Sequence, residues 1–403
     1  MTDDADVLDR ADPLAAHRAR FVGAGSPLVY FDGNSLGRPL VSTADRLATF
    51  VREEWGGRLI RGWDERWYDL PLTLGDEIGR VCLGAASGQT FVGDSTTVLL
   101  YKLIRAAVDA AEPARTEIVI DSDNFPTDRY VVEGVAAERG LTVRWVEVDR
   151  EGGITAEAVA GAVGSRTALV VLSHVAYRSA FLAEAATITR IAHDAGALVL
   201  WDLSHAAGSV PVELDAWDVD LAVGCTYKYL NGGPGSPAFG YVATRHLDSL
   251  RQPVQGWMGH ADPFLMRPGY TPSAGVRRFI SGTPAVVGML ALVDMVALIE
   301  EVGMKAVREK SRALTSYAVS LADTDLAPLG VRVSSPRVPE RRGGHVTLSH
   351  RRMREVVAAL WERDVIPDYR DPDGLRIGLS PLSTSFAEVA AGLAAVRDAL
   401  SAV

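Results

Sequence analysis

A chain of 403 residues, 48% hydrophobic and 23% charged, exceeds the roughly 250 to 300 residues at which single cores stop growing, so a large packed unit with a smaller companion is expected. Its formal net charge of -10 repels a phosphate backbone and argues against nucleic-acid binding. With only two cysteines, Cys82 and Cys225, no disulfide framework is possible, and a reducing, cytoplasmic setting is the expectation.

The opening MTDDADVLDRADPLAAHRARF is acidic where a secretory leader would be basic and lacks an apolar centre. No apolar run approaches the length of a membrane span, so no membrane partner is expected. From about residue 116 to residue 244, short β-rich runs alternate with Ala-rich helical stretches: TEIVIDS, LTVRWVEVD, TALVVLSHV, ALVLWDLSH, VDLAVGCTYK and AFGYVAT. This alternation predicts an α/β fold with a mostly parallel sheet and helices on both faces, which explains why most of the runs are apolar throughout. Ligands of such sheets gather at the carboxyl ends of the strands.

After Pro284, AVVGMLALVDMVALIEEVGMKAVREKSRALTSYAV has apolar residues at helical spacing and predicts a long helical connection, interrupted near Gly303. VRVSSPRVPERRGGHVTLS then supplies strand-like pieces, and the chain closes on the amphipathic SFAEVAAGLAAVRDALSA, giving a small α/β unit. The expected organisation is an N-terminal segment over 1–40 joining the small unit, a large ligand-binding domain over 41–284, and a linking helix with the small C-terminal domain over 285–403.

Chemistry concentrates in WDLSHAAGSVPVELDAWDVDLAVGCTYKYLNGGPGSPAFGYV, which brings Asp202 and His205 to one strand end and Lys228 to another. Burial of a lysine there lowers its pKa toward the neutral amine that Schiff-base chemistry needs. An aspartate opposite can pair with a pyridinium nitrogen and keep the ring electron-poor. Alone, Lys228 reads as a surface strand cap, Asp202 as a turn residue and His205 as a satisfied core histidine. Together, and beside the run from Gly232 to Gly235 that lets backbone approach a ligand, they favour a cofactor site.

CTYKYLNGGPGSPAFGYV and WDLSHAAG resemble the lysine and aspartate motifs of the kynureninase family, fold-type I pyridoxal-5'-phosphate (PLP) enzymes. YFDGNSLGRP, LIRGW, DSTTVLLYKLI, DNFPTDRY, GWMGH, the FISGTP run and LRIGLSPL follow the family's order over nearly the whole chain. The resemblance implies a fold-type I, transferase-like architecture with a small C-terminal α/β domain. It further implies hydrolytic Cβ-Cγ cleavage of L-kynurenine, or a ring-substituted kynurenine, to anthranilate and L-alanine.

Residue by residue, it implies that Thr97 and the backbone of Thr96 bind the cofactor phosphate at a helix N-terminus, where an ordinary helix cap is the plainer reading. Phe125 stacks on the pyridine ring, Asp128 approaches the ring's polar edge, and Ser173 lies beside the cofactor. Asp202 is the pyridinium partner, His205 a hydrogen-bonding neighbour, Tyr227 a phosphate neighbour and proton relay, and Lys228 the Schiff-base lysine and base. Trp257 and Thr283 complete the phosphate site from the other subunit, which implies a homodimer with shared active sites; read alone, Trp257 is a core aromatic. Arg376 holds the substrate α-carboxylate, Asn34 assists it, and Trp63 resembles the bacterial enzymes that favour unsubstituted kynurenine. Away from the family, an arginine in a strand is as readily a surface ion pair.

Four positions depart from the family's usual pattern. Ala176, Ser179 and Ala180 stand in SHVAYRSA where relatives commonly read Asn, Thr and Gly, and Ser383 stands where Tyr is usual; these changes bear on the substrate side. Two rivals share the fold. A cysteine desulfurase or lyase needs a nucleophilic cysteine on a mobile loop, a place neither Cys82 nor Cys225 fits. A non-catalytic regulator has no need of Lys228, Asp202 and Arg376 together. The eight histidines are scattered, and no metal site is assigned.

Overall fold

Apolar, β-branched runs between Ala-rich helices fold into a seven-stranded sheet in a computed structural model that describes residues 2–402. Its strands are β1 (Thr90–Gly93), β2 (Glu117–Asp121), β3 (Thr142–Val146), β4 (Thr167–Ser173), β5 (Leu198–Asp202), β6 (Leu221–Gly224) and β7 (Ala238–Val242). Their order is β1-β7-β6-β5-β4-β2-β3, with β7 antiparallel to both neighbours and the other pairs parallel. Six of the seven follow the runs read from the sequence. The edge strand β1 does not, because TFVG is too short to show a period of its own.

Helices such as Thr96–Ala110 and Ala185–Asp194 cover the sheet, so β2, β6 and β7 are buried along their whole length. Parallel strands of matched register end together. Ser173 at the end of β4 pairs with Asp202 at the end of β5, and Asp202 pairs with Val223 in β6. Everything that follows β2, β4, β5 and β6 is therefore delivered to one edge of the sheet.

The connection after Pro284 is two helices, Val286–Val302 and Met304–Leu321, broken at Gly303 with φ 82°. The first packs in the core beneath the large sheet, whereas residues from Leu314 onward belong to a second core. That second core lies under an antiparallel sheet of β8 (Arg332–Val333), β9 (His345–Ser349), β10 (Asp368–Arg370) and β11 (Gly374–Gly378), in the order β10-β11-β9-β8. The N-terminal helix Thr2–Ala11 packs on the closing helix Phe386–Ala402, where the Asp9 carboxylate accepts from the Phe386 and Ala387 amides at 2.8 and 3.0 Å. These are first-turn donors with no partner inside their own helix.

One buried charge away from the site holds the large sheet together. Asp220, just before β6, accepts from His193 Nε2 (2.8 Å), His246 Nε2 (2.7 Å), Arg245 Nη2 (2.6 Å) and the Val199 amide (2.8 Å). Burial opposes its charge, but the hydrogen bonds from His193, His246 and Val199 outweigh it and hold the carboxyl well below its ordinary range. The same bond raises His193 against its own burial. The depressed carboxyl contributes stability above its unfolded value that is lost as pH falls, and the raised imidazole contributes stability that is lost as pH rises through its folded value. Asp220→Asn is therefore expected to lower unfolding free energy by about 3 kcal/mol and to flatten both limbs, read from urea midpoints across pH; a midpoint within error of the parent would reject this role.

Candidate active site

The carboxyl edge of the large sheet supplies the first half of the site. Asp202 ends β5, and the backbone N–H and hydroxyl of Ser204 both donate to its Oδ1, at 2.9 and 2.6 Å. Its Oδ2 has only the Ser173 hydroxyl nearby, at 3.4 Å, and that hydroxyl is closer to Asn124 Oδ1 at 2.7 Å. One carboxylate oxygen is thus anchored and the other left available.

Lys228 lies four residues beyond β6, fully enclosed, with Nζ 3.1 Å from His205 Nε2 and 5.7 Å from the centre of the Phe125 ring. Burial lowers its pKa from the ordinary lysine value, against the pull of Cys225 and Asp202. It drives His205 well below the imidazole range, with Lys228 and Arg376 adding to the fall, so His205 is neutral. Tyr227 is pushed up by burial and by Cys225 beside it. The loop approaches the N-terminal segment closely: Gly37 donates its N–H to the Tyr227 carbonyl at 2.8 Å, and a Cβ at Gly37 would sit 2.4 Å from the Lys228 carbonyl oxygen.

Phe125 starts the helix Pro126–Arg139 and stands edge-on to Tyr177 at 5.3 Å. Asp128, one turn in, is buried, and burial followed by Asp202 and Asp121 raises its pKa well above the carboxylate range. Thr96 and Thr97 open the helix Thr96–Ala110, with Ser95 as N-cap accepting from the Val98 amide at 3.4 Å. Ser95 holds that amide, and the first-turn N–H groups of Thr96 and Thr97 face outward with no intrahelical acceptor.

The small sheet supplies the second half. Arg376 in β11 is buried, its Nη1 donating to the Tyr177 carbonyl at 2.8 Å and its Nη2 to Ser35 Oγ at 2.9 Å, with Asp368 2.7 Å away. Asn34 is fully buried against Gly378, where an added Cβ would lie 1.8 Å from its Oδ1. Lys228, Asp202, His205, Ser173, Phe125 and Asp128 therefore meet in one place, and Arg376 with Asn34 closes over it. Trp63, Trp257 and Thr283 are elsewhere on this chain: Trp63 packs edge-on against Trp67 at 5.6 Å, Trp257 is 40% exposed against Phe264, and Thr283 is exposed.

The site retains buried polar atoms without hydrogen-bond partners: Asp128 Oδ2, Asn124 Nδ2, both amide atoms of Asn34 and Arg376 Nε. Groups this well buried are ordinarily satisfied. Such a set suits a polar heterocycle with an anionic substituent and an amino-acid carboxylate. Asn124, Ser204 and His345, a buried imidazole whose ring is 5.6 Å from that of His205, were not singled out in the sequence. Asn124 is inside the DNFPTD motif, and the Gly343–Gly344 pair before β9 was the available signal for His345.

Across 405 aligned residues the chain is 39% identical to the kynureninase of Burkholderia pseudomallei (strain 1106a), covering 99% of this chain and 95% of that protein. The chain belongs to the kynureninase family. The Pseudomonas fluorescens kynureninase is 38% identical over 389 residues, 95% of this chain and 91% of its own length. The kynureninase C-terminal domain matches residues 307–396. Among solved structures, a C-DES mutant with glycine covalently linked to its PLP cofactor superposes with a TM-score of 0.83 at 19% identity, over 94% of this chain and 99% of that one. An apo cysteine desulfurase from Thermococcus onnurineus NA1 gives 0.82 at 18% identity, over 96% and 98%. The fold is that of the fold-type I PLP enzymes, as the sequence motifs implied.

Proposed function

We propose that this kynureninase-family chain binds PLP through Lys228 and hydrolyses the Cβ-Cγ bond of L-kynurenine or a ring-substituted kynurenine, releasing the corresponding anthranilate and L-alanine. The observation that carries this reading is the meeting of a buried Lys228, whose pKa burial lowers, with an anchored Asp202 on one side and a buried Arg376 on the other. Asp202 Oδ2 would hold the proton on the pyridine nitrogen, Phe125 would lie against the ring, and Thr96, Thr97 and Tyr227 would hold the phosphate. Bound there, the cofactor supplies the sink for charge that develops next to the amino group of the substrate.

The chain's own residues do the rest. Arg376, assisted by Asn34, fixes the α-carboxylate. Lys228 Nζ, its pKa lowered by burial, takes the proton from Cα and returns protons to the alanine that is formed. In the net reaction water supplies the hydroxyl to Cγ, the Cβ-Cγ bond breaks, and Cβ gains a proton. His205 keeps the lysine in register, and Ser173, held by Asn124, lies beside the oxygen of Asp202 that is left free.

A desulfurase reading on the same fold fails at the cysteines. Both are buried, and burial pushes the Cys82 thiol up to about 12 and raises Cys225 as well. Neither presents the accessible thiolate that chemistry requires.

A homodimer in a reducing cytoplasm completes the proposal. An open apolar groove of about 310 Å³ is lined by Phe50, Trp55, Trp63, Trp67 and the segment Pro284–Gly288 next to Thr283, with Ile60 77% exposed on the same stretch of chain. Coverage of this surface by a second copy would bring its Trp257 and Thr283 toward shared sites. Among the described residues no helix is long and apolar enough to cross a membrane. The test is to incubate purified, PLP-loaded protein with kynurenine and 3-hydroxykynurenine in parallel. Equimolar L-alanine and the matching anthranilate, formed by a species sedimenting at twice 43.1 kDa, is the expected result; absence of both products rejects the activity.

A further inference from the structure

The small sheet presents two polar side chains to the site, of which the function above uses one. Antiparallel register pairs His345 with Gly378 and Thr347 with Arg376 across β9 and β11, so His345, Thr347 and Arg376 share a face. That face looks onto the large unit, since Arg376 donates to the Tyr177 carbonyl and Thr347 to the Arg178 carbonyl. His345 is fully buried with its ring 5.6 Å from that of His205, which in turn contacts Lys228. Neither of its ring nitrogens makes a hydrogen bond of good geometry, although the Arg178 backbone lies near enough to act on the ring.

Its backbone is held while its side chain is idle. Gly343 donates its N–H to the Ala180 carbonyl at 2.7 Å, and Leu379 donates to the Gly344 carbonyl at 3.1 Å. A Cβ at Gly344 would lie 2.3 Å from Ser209 Oγ and 2.6 Å from the Tyr229 hydroxyl, so a larger residue there would have to displace both side chains for β9 to enter this close to the large unit. Burial, then Arg376 and Lys228, keep the imidazole neutral, with the Arg178 backbone pulling the other way. A neutral imidazole carries one N–H donor and one acceptor.

Arg376 needs help with a carboxylate. Both edges along which a guanidinium grips a carboxylate with two parallel donors include Nη2. In this structure Nη2 is engaged by Ser35 at 2.9 Å and lies 2.7 Å from an Asp368 oxygen. A carboxylate arriving at the open side finds Nε free and Nη1 half used, which gives one good donor instead of a fork.

We propose that His345 is a substrate-binding residue that donates a further hydrogen bond, beside those of Arg376 and Asn34, to the α-carboxylate of the bound amino acid. This rests on the functional reading above for the identity of the ligand as an amino acid, but not for the bond that is cleaved.

The test uses the PLP-loaded protein and L-alanine, which carries the carboxylate and nothing beyond Cβ. Loss of a hydrogen bond to a charged group is expected to weaken L-alanine binding in His345→Ala by about tenfold or more, followed by spectral titration. His345→Gln, which keeps a donor, is expected to stay within about threefold of the parent. Cofactor Kd, measured on the apo-protein, is expected to hold in both variants and Tm to hold in His345→Gln, whereas His345→Ala is expected to lower Tm by the cavity it leaves. L-alanine affinity unchanged in His345→Ala overturns the proposal, as does an equal loss in both variants accompanied by weaker cofactor binding or by a lower Tm in His345→Gln. Parent protein that cleaves kynurenine while His345→Ala binds L-alanine normally refutes His345 alone. His345-dependent L-alanine binding without kynurenine cleavage upholds His345 and refutes the activity, and no L-alanine binding by the parent refutes both.

Discussion

Lys228→Ala is expected to remove turnover altogether, by at least about a thousandfold in kcat, together with the visible absorbance of the bound cofactor. General base catalysis alone contributes on the order of 10² to 10⁴, and among the described residues the other buried lysines, Lys102 and Lys310, are engaged elsewhere, by Asp94 and Asp12. His205 is the nearest basic group, at 3.1 Å from Nζ, but burial holds it neutral and well below its ordinary range, and an imidazole cannot form a stable Schiff base. Folding should not suffer. Lys228 is enclosed, and its pKa is lowered by burial, so truncation removes a group that is costly to charge there. The apo-variant should therefore unfold at or above the Tm of the apo-parent, and once loaded it should lack the absorbance of the lysine-linked cofactor. A chromophore that borohydride fixes to the chain in this variant, freed of amino acids, would show that another lysine carries the cofactor.

Much of this site is legible in the sequence because its parts are local. Asp202, His205 and Lys228 fall within 27 residues of one another in WDLSHAAG through CTYKY, at the ends of adjacent strands β5 and β6 whose apolar runs announce them. The parallel sheet, the helical connection and its break at Gly303 follow from periodicity and one glycine in the same way. What the sequence could not show is produced by pairing between distant segments. Asp202 selects its free oxygen because Ser204 takes the other and Asn124, 78 positions away, draws off the Ser173 hydroxyl. His345 meets His205 only because β9 is seated on the large unit through Gly343 and Gly344, and a histidine in RRGGHVTLS carries no periodic signal of that meeting. Ala180 shows the limit from the other side: it has φ 63°, a left-handed backbone that costs a non-glycine residue roughly 1 kcal/mol or more, at a position where the resemblance leads one to expect glycine.

The expected result for Asp202→Asn is a stable, cofactor-binding protein with kcat reduced about a hundredfold or more. The argument turns on which atom goes where. The Oδ1 position receives two donors, the Ser204 N–H at 2.9 Å and the Ser204 hydroxyl at 2.6 Å. An asparagine satisfies the backbone donor only by placing its carbonyl oxygen there, which forces its NH₂ into the Oδ2 position. The oxygen that would hold the proton on the pyridine nitrogen is thereby exchanged for a donor, and a protonated ring would face N–H against N–H. The ring must give up its proton, and with it the positive charge that makes it an electron sink. Hydrogen bonds to charged groups are worth about 1.5 to 3 kcal/mol, and each ~1.4 kcal/mol in the barrier is tenfold in rate, so losing both the bond and the charge gives the stated magnitude. Cofactor affinity should fall less than kcat, because the phosphate contacts proposed for Thr96, Thr97 and Tyr227 and the linkage proposed for Lys228 lie elsewhere. Near-parental kcat in a fully loaded Asp202→Asn protein would show that Asp202 serves only to anchor Ser204 and the turn that follows β5.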